Sequence, residues 1–182
     1  MKSEFKPFPE LCTKRLLLRQ TLLGDRAEVF FLRSNEEVNK CIRRDPTNTV
    51  EDAENFIKKI TQGWEEEKNI NWSLVFQGNP EMIGSICLWN FSPDRKTAEV
   101  GYDLHPGFQK KGMMTEALQA VLKFGFEKLN LFQIEAFTNY QNQNSIRLLE
   151  KNGFSLNEKR KDKDDPENVI FELKRLEYFS SE

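Results

Sequence analysis

The sequence predicts a mixed α/β fold in a single domain over residues 1–182. Short runs rich in β-branched and aromatic residues alternate with longer segments in which apolar residues recur at helical spacing. Hydrophobic residues make up 38% of the chain and aromatic residues 12%, which is enough for a substantial core. No internal repeat, low-complexity tract or linker divides the chain, so one layered α/β domain is expected.

The first predicted elements are a strand and two helices. The strand covers residues 16–21, and Asp25 suits the N-cap of a helix that continues to about residue 33. Residues 34–48 are polar and include a proline, which indicates a loop or a short irregular helix. A second helix begins at residues 50–52, and its predicted buried face consists of Ala53, Phe56, Ile57, Ile60 and Trp64.

Three antiparallel strands are expected next. Residues 72–76 and 82–90 are rich in strand-forming residues, and residues 78–80 between them, Gly-Asn-Pro, are typical of a hairpin turn. Residues 97–105 alternate in the same way and end before Pro106.

The second half of the chain is predicted to alternate between helices and strands. Gly153 suits the left-handed residue that follows a helix. The predicted order is helix, strand, helix and a closing hairpin, over residues 113–129, 132–138, 142–152, and then 154–159 with 169–174.

Composition excludes several classes of function. Charged residues reach 31%, but the formal net charge is −2, which does not favour direct nucleic-acid binding. No apolar run has the length of a membrane span, and the N-terminus lacks the apolar core of a signal peptide. The cysteines, Cys12, Cys41 and Cys87, are odd in number, which predicts free thiols in the cytoplasm. With His105 as the only histidine, no metal site is predicted.

A glycine-containing turn joins the strand that ends near His105 to the following helix. Backbone N–H groups at a helix N-terminus lack intrachain partners, and the helix dipole adds positive charge, so together they form a seat for phosphate oxygens. Gly112 allows close approach of a ligand to the backbone. The alternative is a basic, solvated helix start. The predicted phosphate seat consists of Gln109, Lys110, Lys111, Gly112, Met113, Met114 and Thr115.

Three segments in order resemble one family. Gln109-x-x-Gly112-x-Met114 resembles the Q/R-x-x-G-x-G/A acetyl-CoA signature of the GCN5-related N-acetyltransferases, the GNAT superfamily. The segment from Asn142 to Phe154 resembles the N-x-x-S-x-x-x-x-E-K-x-G-F pattern of its RimJ/RimL-like ribosomal-protein branch. Residues 13–19, followed by Asp25, resemble the opening strand and first helix cap of that branch, so the resemblance covers about 11–176.

The resemblance implies a fold and an activity. The implied fold is a mostly antiparallel seven-stranded sheet flanked by about four helices. The strands before His105 and after Phe132 splay apart, and acyl-CoA lies in the notch. The implied reaction is direct attack of a primary amine on acetyl-CoA. We expect no metal, and either a monomer or a homodimer. The implied acceptor is a protein N-terminal α-amine. The alternatives are a small-molecule amine, or a catalytically weak acyl-CoA-binding regulator.

The resemblance also assigns roles to strand and helix residues. It places oxyanion-binding N–H groups on a bulged strand over residues 101–104, with Asp103 and Leu104 at the cofactor. Gly101 suits a bulge, although a tight packing position explains it equally well. Asn142 would contact the pantetheine arm, and Ser145 would lie near the thioester sulfur. Both residues also suit an ordinary N-cap and first helical turn.

Two departures from the family pattern bear on these roles. Many relatives carry a tyrosine seven residues after the asparagine, as the acid for the leaving thiolate, but Leu149 stands there. Ser145 is therefore the predicted substitute. Relatives commonly have Gly or Ala where Met114 stands, and the Met114 side chain is expected to turn into the core. Glu116 matches the family's T/S-E pair, or is an ordinary first-turn acid.

Glu99 is the predicted catalytic base. It precedes Gly101 by two residues, so Glu99, Gly101 and Asp103 share one face of the strand, while Tyr102 points to the opposite face and toward the core. The alternative for Glu99 is a surface carboxylate in an ion pair, and Asp103 is the alternative base. The acceptor walls are expected to come from residues 34–48, including Arg43, Arg44 and Asp45, and from Trp89.

Overall fold

The computed structural model describes residues 5–180, and their strands form one eight-stranded sheet. The order across the sheet is β1-β2-β3-β4-β5-β6-β8-β7. The strands are β1 (Leu11–Cys12), β2 (Leu16–Gln20), β3 (Ile70–Phe76), β4 (Met82–Trp89), β5 (Thr97–Leu104), β6 (Gln133–Asn139), β7 (Ser155–Leu156) and β8 (Asn168–Lys174).

Helices cover both faces of the sheet. They are α1 (Arg26–Ser34), α2 (Glu36–Asn39), α3 (Val50–Glu65), α4 (Met113–Glu127), α5 (Gln143–Lys151) and α6 (Arg175–Ser180). The larger apolar cluster packs α4 against the sheet, with Trp72, Leu118 and Phe126 among its buried side chains. A smaller cluster that includes Val29 and Ile57 joins α1 and α3 to the other face. Within residues 5–180, no helix is long and apolar enough to span a membrane.

The parallel pair β5–β6 confirms the predicted divergence. All other neighbouring strands are antiparallel, but β5 and β6 run in parallel and pair only from Thr97 to Glu99 against Gln133 to Glu135. Beyond Glu99 the two strands separate, while β5 stays paired with β4 as far as Leu104. A notch therefore opens along one edge of β5.

The sheet has eight strands where seven were expected. The extra strand is β1, because Leu11 and Cys12 pair with Leu18 and Leu17. The closing hairpin is present, but its first strand is only two residues long. The C-terminal helix α6 was not predicted from the sequence. The other predicted helices and strands lie within a few residues of their expected bounds.

The expected bulge in residues 101–104 is absent. The β4–β5 register is continuous from Gly84 opposite Leu104 to Trp89 opposite Glu99, and the irregularity lies instead between β3 and β4. A Cβ atom on Gly101 would lie 3.3 Å from Cys87 Sγ. Gly101 therefore occupies a tight packing position, the alternative that the sequence left open.

Asp25 stands at the N-cap of α1 as predicted, but its carboxylate does not cap that helix. It accepts hydrogen bonds from Arg19 and from the backbone N–H of Leu22. These contacts pin the end of β2 to the start of α1. The second long helix, α3, has a capping box between Thr49 and Asp52, which satisfies donors at its first turn.

Candidate active site

A cavity of about 700 Å³ lies on the notch beside β5. Its walls come from the last residues of β5, the turn before α4, the start of α5, and the region from α2 to Ile42. This size is typical of a small-molecule or cofactor site. The structure therefore brings the two strongest sequence motifs, the glycine turn and the Asn142–Ser145 segment, to the wall of one cavity.

The turn before α4 ends in a left-handed glycine at the start of the helix. Lys110 and Gly112 both have left-handed backbone conformations, with φ of 60° and 79°. Gly112 is the N-cap of α4, so the N–H groups of the first turn have no side-chain cap. The first residues of α4 line the cavity, so the backbone N–H groups and the positive end of the helix dipole lie beside it; their role as a phosphate seat stays a prediction.

An ion pair holds this turn to the start of β2. Glu116 accepts hydrogen bonds from Arg15 Nε at 2.8 Å, from the Arg15 backbone N–H at 2.7 Å and from the Thr13 hydroxyl at 2.5 Å. Arg15 also donates to the carbonyl of Lys111 at 3.1 Å. Burial raises the pKa of Glu116, but these hydrogen bonds outweigh it and the net pKa is lowered. Glu116 is thus a structural anchor of the turn rather than an ordinary first-turn acid.

The start of α5 forms the facing wall. Asn142 Oδ1 accepts a hydrogen bond from the backbone N–H of Ser145 at 3.2 Å, so Asn142 caps α5. The Ser145 hydroxyl lies 2.8 Å from the Tyr102 hydroxyl across the notch. Leu149 is fully buried in the core. The Tyr102 ring packs on the core as expected, but its hydroxyl lines the cavity, which the sequence prediction missed.

Asp103 does not present a free carboxylate to the cavity. Arg44 Nη1 donates to one oxygen at 2.8 Å, and the Ser85 hydroxyl donates to the other at 2.6 Å. Both carboxylate oxygens of Asp103 are therefore occupied by partners within the protein, and its role as the alternative base stays a prediction. A second cavity beside this pair measures only about 30 Å³, room for about one water molecule and too small for an amine substrate.

Comparison with known proteins identifies the family. The acetyltransferase (GNAT) domain model matches residues 15–155 of the chain. The chain belongs to the GNAT acetyltransferase family. It is 32% identical over 147 residues to an uncharacterized N-acetyltransferase, YoaA, of Bacillus subtilis (strain 168), which covers 81% of this chain and 83% of that protein. The GNAT chain is thus an acetyl-CoA-dependent N-acetyltransferase.

Solved structures share the GNAT fold. A GNAT-family acetyltransferase from Bacillus anthracis superposes with a TM-score of 0.79 at 26% identity, over 92% of this chain and 99% of that one. RimL, a ribosomal L7/L12 alpha-N-protein acetyltransferase solved with coenzyme A, superposes with a TM-score of 0.78 at 18% identity, over 91% and 98%. The latter likeness shows the fold alone.

Most of the predicted cofactor residues line the cavity of this GNAT domain. Gln109 lines it while its amide donates to the carbonyl of Leu104 at 3.0 Å. Met114 is buried, as expected for a side chain turned into the core. The predicted residues on the wall are Asp103, Leu104, Gln109, Lys110, Gly112, Met113, Met114, Thr115, Asn142 and Ser145.

Lys111 is the predicted cofactor residue that does not line the cavity. Its ammonium donates to the carbonyl of Gly107 at 2.7 Å and lies 5.8 Å from the centre of the Phe108 ring. The side chain therefore points back along the turn, away from the phosphate seat. Lys110, on the left-handed residue beside it, faces the cavity instead.

Further basic residues on the wall were missed from the sequence. Arg147 and Lys151 line the cavity from α5, and Lys40 lines it from the end of α2. With Lys110 they give the lining four cationic side chains against two carboxylates, which suits a ligand that carries several phosphates. The signal was available for α5, because Asn144, Arg147 and Lys151 recur at the spacing of one helical face.

Glu99 lies outside the cavity wall, at the last paired residue of β5 before the strands diverge. It is in register with Glu135 on one side and Trp89 on the other. Burial raises its pKa to about 7, although Asn90 donates a hydrogen bond to the carboxylate at 3.2 Å, and Glu135 and Asp162 raise it further. A carboxylate with this pKa can take a proton at neutral pH. It shares its strand face with Asp103, not with Tyr102.

The residues expected to form the acceptor walls differ in how free their side chains are. Arg44 is tied to Asp103 rather than open to a substrate, and Arg43 is largely exposed, 3.9 Å from Asp165. Trp89 is exposed beside Glu99 in the sheet register. Within residues 5–180, no group of three or more histidine, cysteine, aspartate or glutamate side chains is placed to hold a metal ion.

Proposed function

We propose that this GNAT enzyme acetylates a primary amine by direct attack on acetyl-CoA, and that the acceptor is a protein N-terminal α-amine. The proposal is supported by two contacts of β5: Glu99 is the last residue of β5 that pairs with β6, and Ser145 bonds Tyr102, three residues further along β5 and on the other strand face. Acetyl-CoA would occupy the 700 Å³ cavity. The amine would approach from the face of Glu99.

The residues of the cavity suit coenzyme A. The free N–H groups after Gly112 would bind the diphosphate, and Lys110 would neutralise part of its charge. Arg147, Lys151 and Lys40 would face the remaining phosphate charge. The cosubstrate supplies the activated acetyl group, and holding it beside the amine lowers the barrier by converting a bimolecular encounter into an oriented one.

The reaction needs one proton removed and one negative charge accommodated. The amine nitrogen bonds to the acetyl carbon, the C–S bond breaks, and its electron pair stays on sulfur. Glu99 takes the proton that nitrogen loses, directly or through one water molecule. The Ser145 hydroxyl donates a hydrogen bond to the sulfur, in place of the tyrosine that many relatives carry at the position of Leu149. Free thiols have a pKa near ~8.5, so modest help is enough.

The chemistry of the base favours an α-amine. An N-terminal α-amine has a pKa of about 8, against about 10.4 for lysine, so a larger share is already neutral at physiological pH. A base with a pKa of about 7 matches that acceptor. RimL, which shares the fold, is named as an alpha-N-protein acetyltransferase. A reducing compartment such as the cytoplasm suits the three free cysteines.

The test also distinguishes two alternatives: a small cationic amine as the acceptor, and a protein that binds acyl-CoA without turnover. Trp89 is exposed next to Glu99, and an aromatic ring beside a carboxylate also suits a small cationic amine. Leu149 in place of the tyrosine favours a protein that binds acyl-CoA without turnover.

The test is incubation of the purified protein with acetyl-CoA and an acceptor panel. The panel contains peptides with free and blocked N-termini, amino acids, polyamines and aminoglycoside-type amines. A mass increase of one acetyl group, confined to peptides with free N-termini, supports the proposal. Acetylation of small amines alone overturns the choice of acceptor. Tight coenzyme A binding without acetyl transfer to any amine overturns the proposed enzymatic activity and favours an acyl-CoA-binding regulator.

A further inference from the structure

The hydroxyl pair between Tyr102 of β5 and Ser145 of α5 spans the notch in which the thioester would lie. The two oxygens are 2.8 Å apart, and both residues line the cavity. The two residues are 43 positions apart in sequence, and the bond joins β5 to α5 at the cavity. A hydrogen bond between two hydroxyls on the cavity wall can orient one of them toward a bound ligand.

The pair carries two protons, and only one is used in the bond between them. A phenol is a stronger hydrogen-bond donor than an aliphatic alcohol because it is more acidic, so Tyr102 is the favoured donor and Ser145 the acceptor. The Ser145 O–H is then free for a second acceptor in the cavity. Burial raises the pKa of Tyr102 to about 12, which keeps the phenol protonated across the working pH range.

We propose that Tyr102 is a positioning residue that fixes the Ser145 hydroxyl with its proton toward the thioester sulfur. Without Tyr102, a serine in the first turns of a helix can turn its proton to a backbone carbonyl one turn earlier. Accepting from a phenol also strengthens the serine as a donor, because successive hydrogen bonds polarise one another. Ser145 is the only hydroxyl-bearing residue of α5, so no other α5 side chain can replace it.

The position of Ser145 makes a hydrogen bond to sulfur effective. Ser145 is 8% exposed, and it is the third residue of α5, where the helix dipole favours negative charge. When the C–S bond breaks and the electron pair moves to sulfur, the oriented O–H and the helix N-terminus face the new charge. Sulfur takes its proton from solvent as coenzyme A leaves. This inference rests on the proposed function only in naming the sulfur as the group that Ser145 faces.

The decisive measurement is the thiol pKa of coenzyme A bound to the protein, followed by thiolate absorbance during a pH titration. The proteins compared are the wild type, Tyr102→Phe, Ser145→Ala and the double variant. We expect the thiol of coenzyme A bound to Tyr102→Phe to have a pKa about one unit higher than in the wild type. The thiol bound to Ser145→Ala should show the same rise in pKa. In the double variant, the loss of the phenol should add nothing, because Tyr102 acts only through Ser145.

Turnover provides the second readout. Tyr102→Phe should lower kcat by roughly tenfold while the Kd for coenzyme A changes less than about twofold, and the loss should vanish in the Ser145→Ala background. Ser145→Thr keeps a hydroxyl and should retain most of the activity. The matched control is Tyr140→Phe, since Tyr140 is exposed and its hydroxyl bonds Gln141 at 3.0 Å. A merely structural role for Tyr102 would lower the melting temperature without moving the thiol pKa.

Each outcome separates this inference from the proposed function. The role of Tyr102 is overturned if Tyr102→Phe keeps the thiol pKa and the kcat of the wild type. It is also overturned if the losses in the double variant are additive. Neither result contradicts the proposed acetyltransferase function. A shifted thiol pKa with no acetyl transfer to any amine supports the role of Tyr102 and overturns the proposed reaction. Failure of the wild type to bind coenzyme A overturns both.

Discussion

Arg44 donates a 2.8 Å hydrogen bond to Asp103 and so joins the segment between α2 and α3 to the centre of the sheet. Arg44 also donates to the Asn39 side chain and to the carbonyl of Leu32, at 2.7 Å and 2.8 Å. The side chains of Arg44 and Asp103 are 19% and 6% exposed. One guanidinium therefore fixes three elements on the side of β5 from which an acceptor would approach.

Removal of Arg44 should destabilise the fold. Arg44→Met leaves the Asp103 carboxylate buried with only the Ser85 hydroxyl as partner, and a buried charge that loses its partner costs about 3 kcal/mol. The free energy of unfolding, measured by urea denaturation, should fall by that amount. The control is Arg43→Met, because Arg43 is 76% exposed and lies 3.9 Å from Asp165, so its loss should cost less than about 1 kcal/mol. Equal losses in the two variants would contradict the central position of Arg44.

Gly112→Glu should abolish coenzyme A binding. The new side chain would place a carboxylate at the N-terminus of α4, where the diphosphate is proposed to bind, and would repel it. Isothermal titration with coenzyme A should show at least a hundredfold rise in Kd. Because Gly112 has a φ of 79°, part of any effect comes from backbone strain.

The control for Gly112→Glu is Gly78→Glu in the β3–β4 hairpin. Gly78 has a similar φ of 81°, and nothing lies within 4 Å of a Cβ atom built there. This variant carries the same strain and the same added charge away from the cavity. It should bind coenzyme A like the wild type. Equal loss of binding in both variants would show that strain, not the phosphate seat, is responsible.

Glu99→Gln should change how activity depends on pH. In the wild type, kcat/KM should rise with pH through an apparent pKa of about 7, as the Glu99 carboxyl loses its proton and becomes a base. Glutamine cannot accept that proton, so turnover should fall by roughly a hundredfold and this inflection should disappear. Coenzyme A affinity should be unchanged, since Glu99 lies outside the cavity wall. Retention of both the inflection and the rate would remove Glu99 as the base.

Glu99→Gln should also change how folding stability depends on pH. In the wild type, activity should rise with pH while the contribution of Glu99 to stability falls. The folded-state pKa of Glu99 is raised from 4.5 to about 7, so the folded protein binds this proton more tightly than the unfolded chain does. The stabilising contribution is fully present below pH 4.5 and is lost as pH rises through 7. Glu99→Gln removes this loss, so its melting temperature should fall less than that of the wild type between pH 5 and pH 8. A steeper fall would contradict the raised pKa.

Glu116→Gln should weaken the ion pair with Arg15 that holds the turn before α4 to the start of β2. The pKa of Glu116 is lowered below 4.5 in the folded protein, so its contribution to stability is present above that pH and disappears as pH falls through the folded-state value. At pH 7 the variant should lose about 1–2 kcal/mol of unfolding free energy, and the difference should shrink toward pH 3. The control is Glu127→Gln, at the exposed end of the same helix, which should change stability by less than about 0.5 kcal/mol.

Local patterns were sufficient for most of the fold. The helical spacing of residues 113–129 and the alternation of residues 97–105 reflect burial on one face, which each segment carries in its own sequence. The strand β1 was missed because two residues have no periodicity. The helix α6 was missed because the exposed Leu176 and Phe179 form no clear apolar face.

In the candidate site too, features that depend on a few consecutive residues were predicted from the sequence, whereas features that depend on tertiary contacts were not. Gly112 and Asn142 were found because a turn with φ above zero and a helix cap depend on a few consecutive residues. Lys111 does not line the cavity, because a flexible side chain on a turn has several directions open to it and its ammonium donates to the carbonyl of Gly107 in the same turn. The bulge expected at Gly101 depended on the neighbouring strand, which pairs without interruption.

The sequence by itself determined the order of helices and strands, the glycine turn before α4 and the family to which the chain belongs, because these depend on short-range spacing. Only the tertiary structure decided which polar groups remain available for chemistry. Asp103 and Glu99 are equivalent in the strand pattern, yet Arg44 and Ser85 occupy one carboxylate and burial raises the pKa of the other. The hydroxyl pair of Tyr102 and Ser145 likewise exists only because β6 leaves β5 and lets α5 approach the gap, a relation between residues distant in sequence.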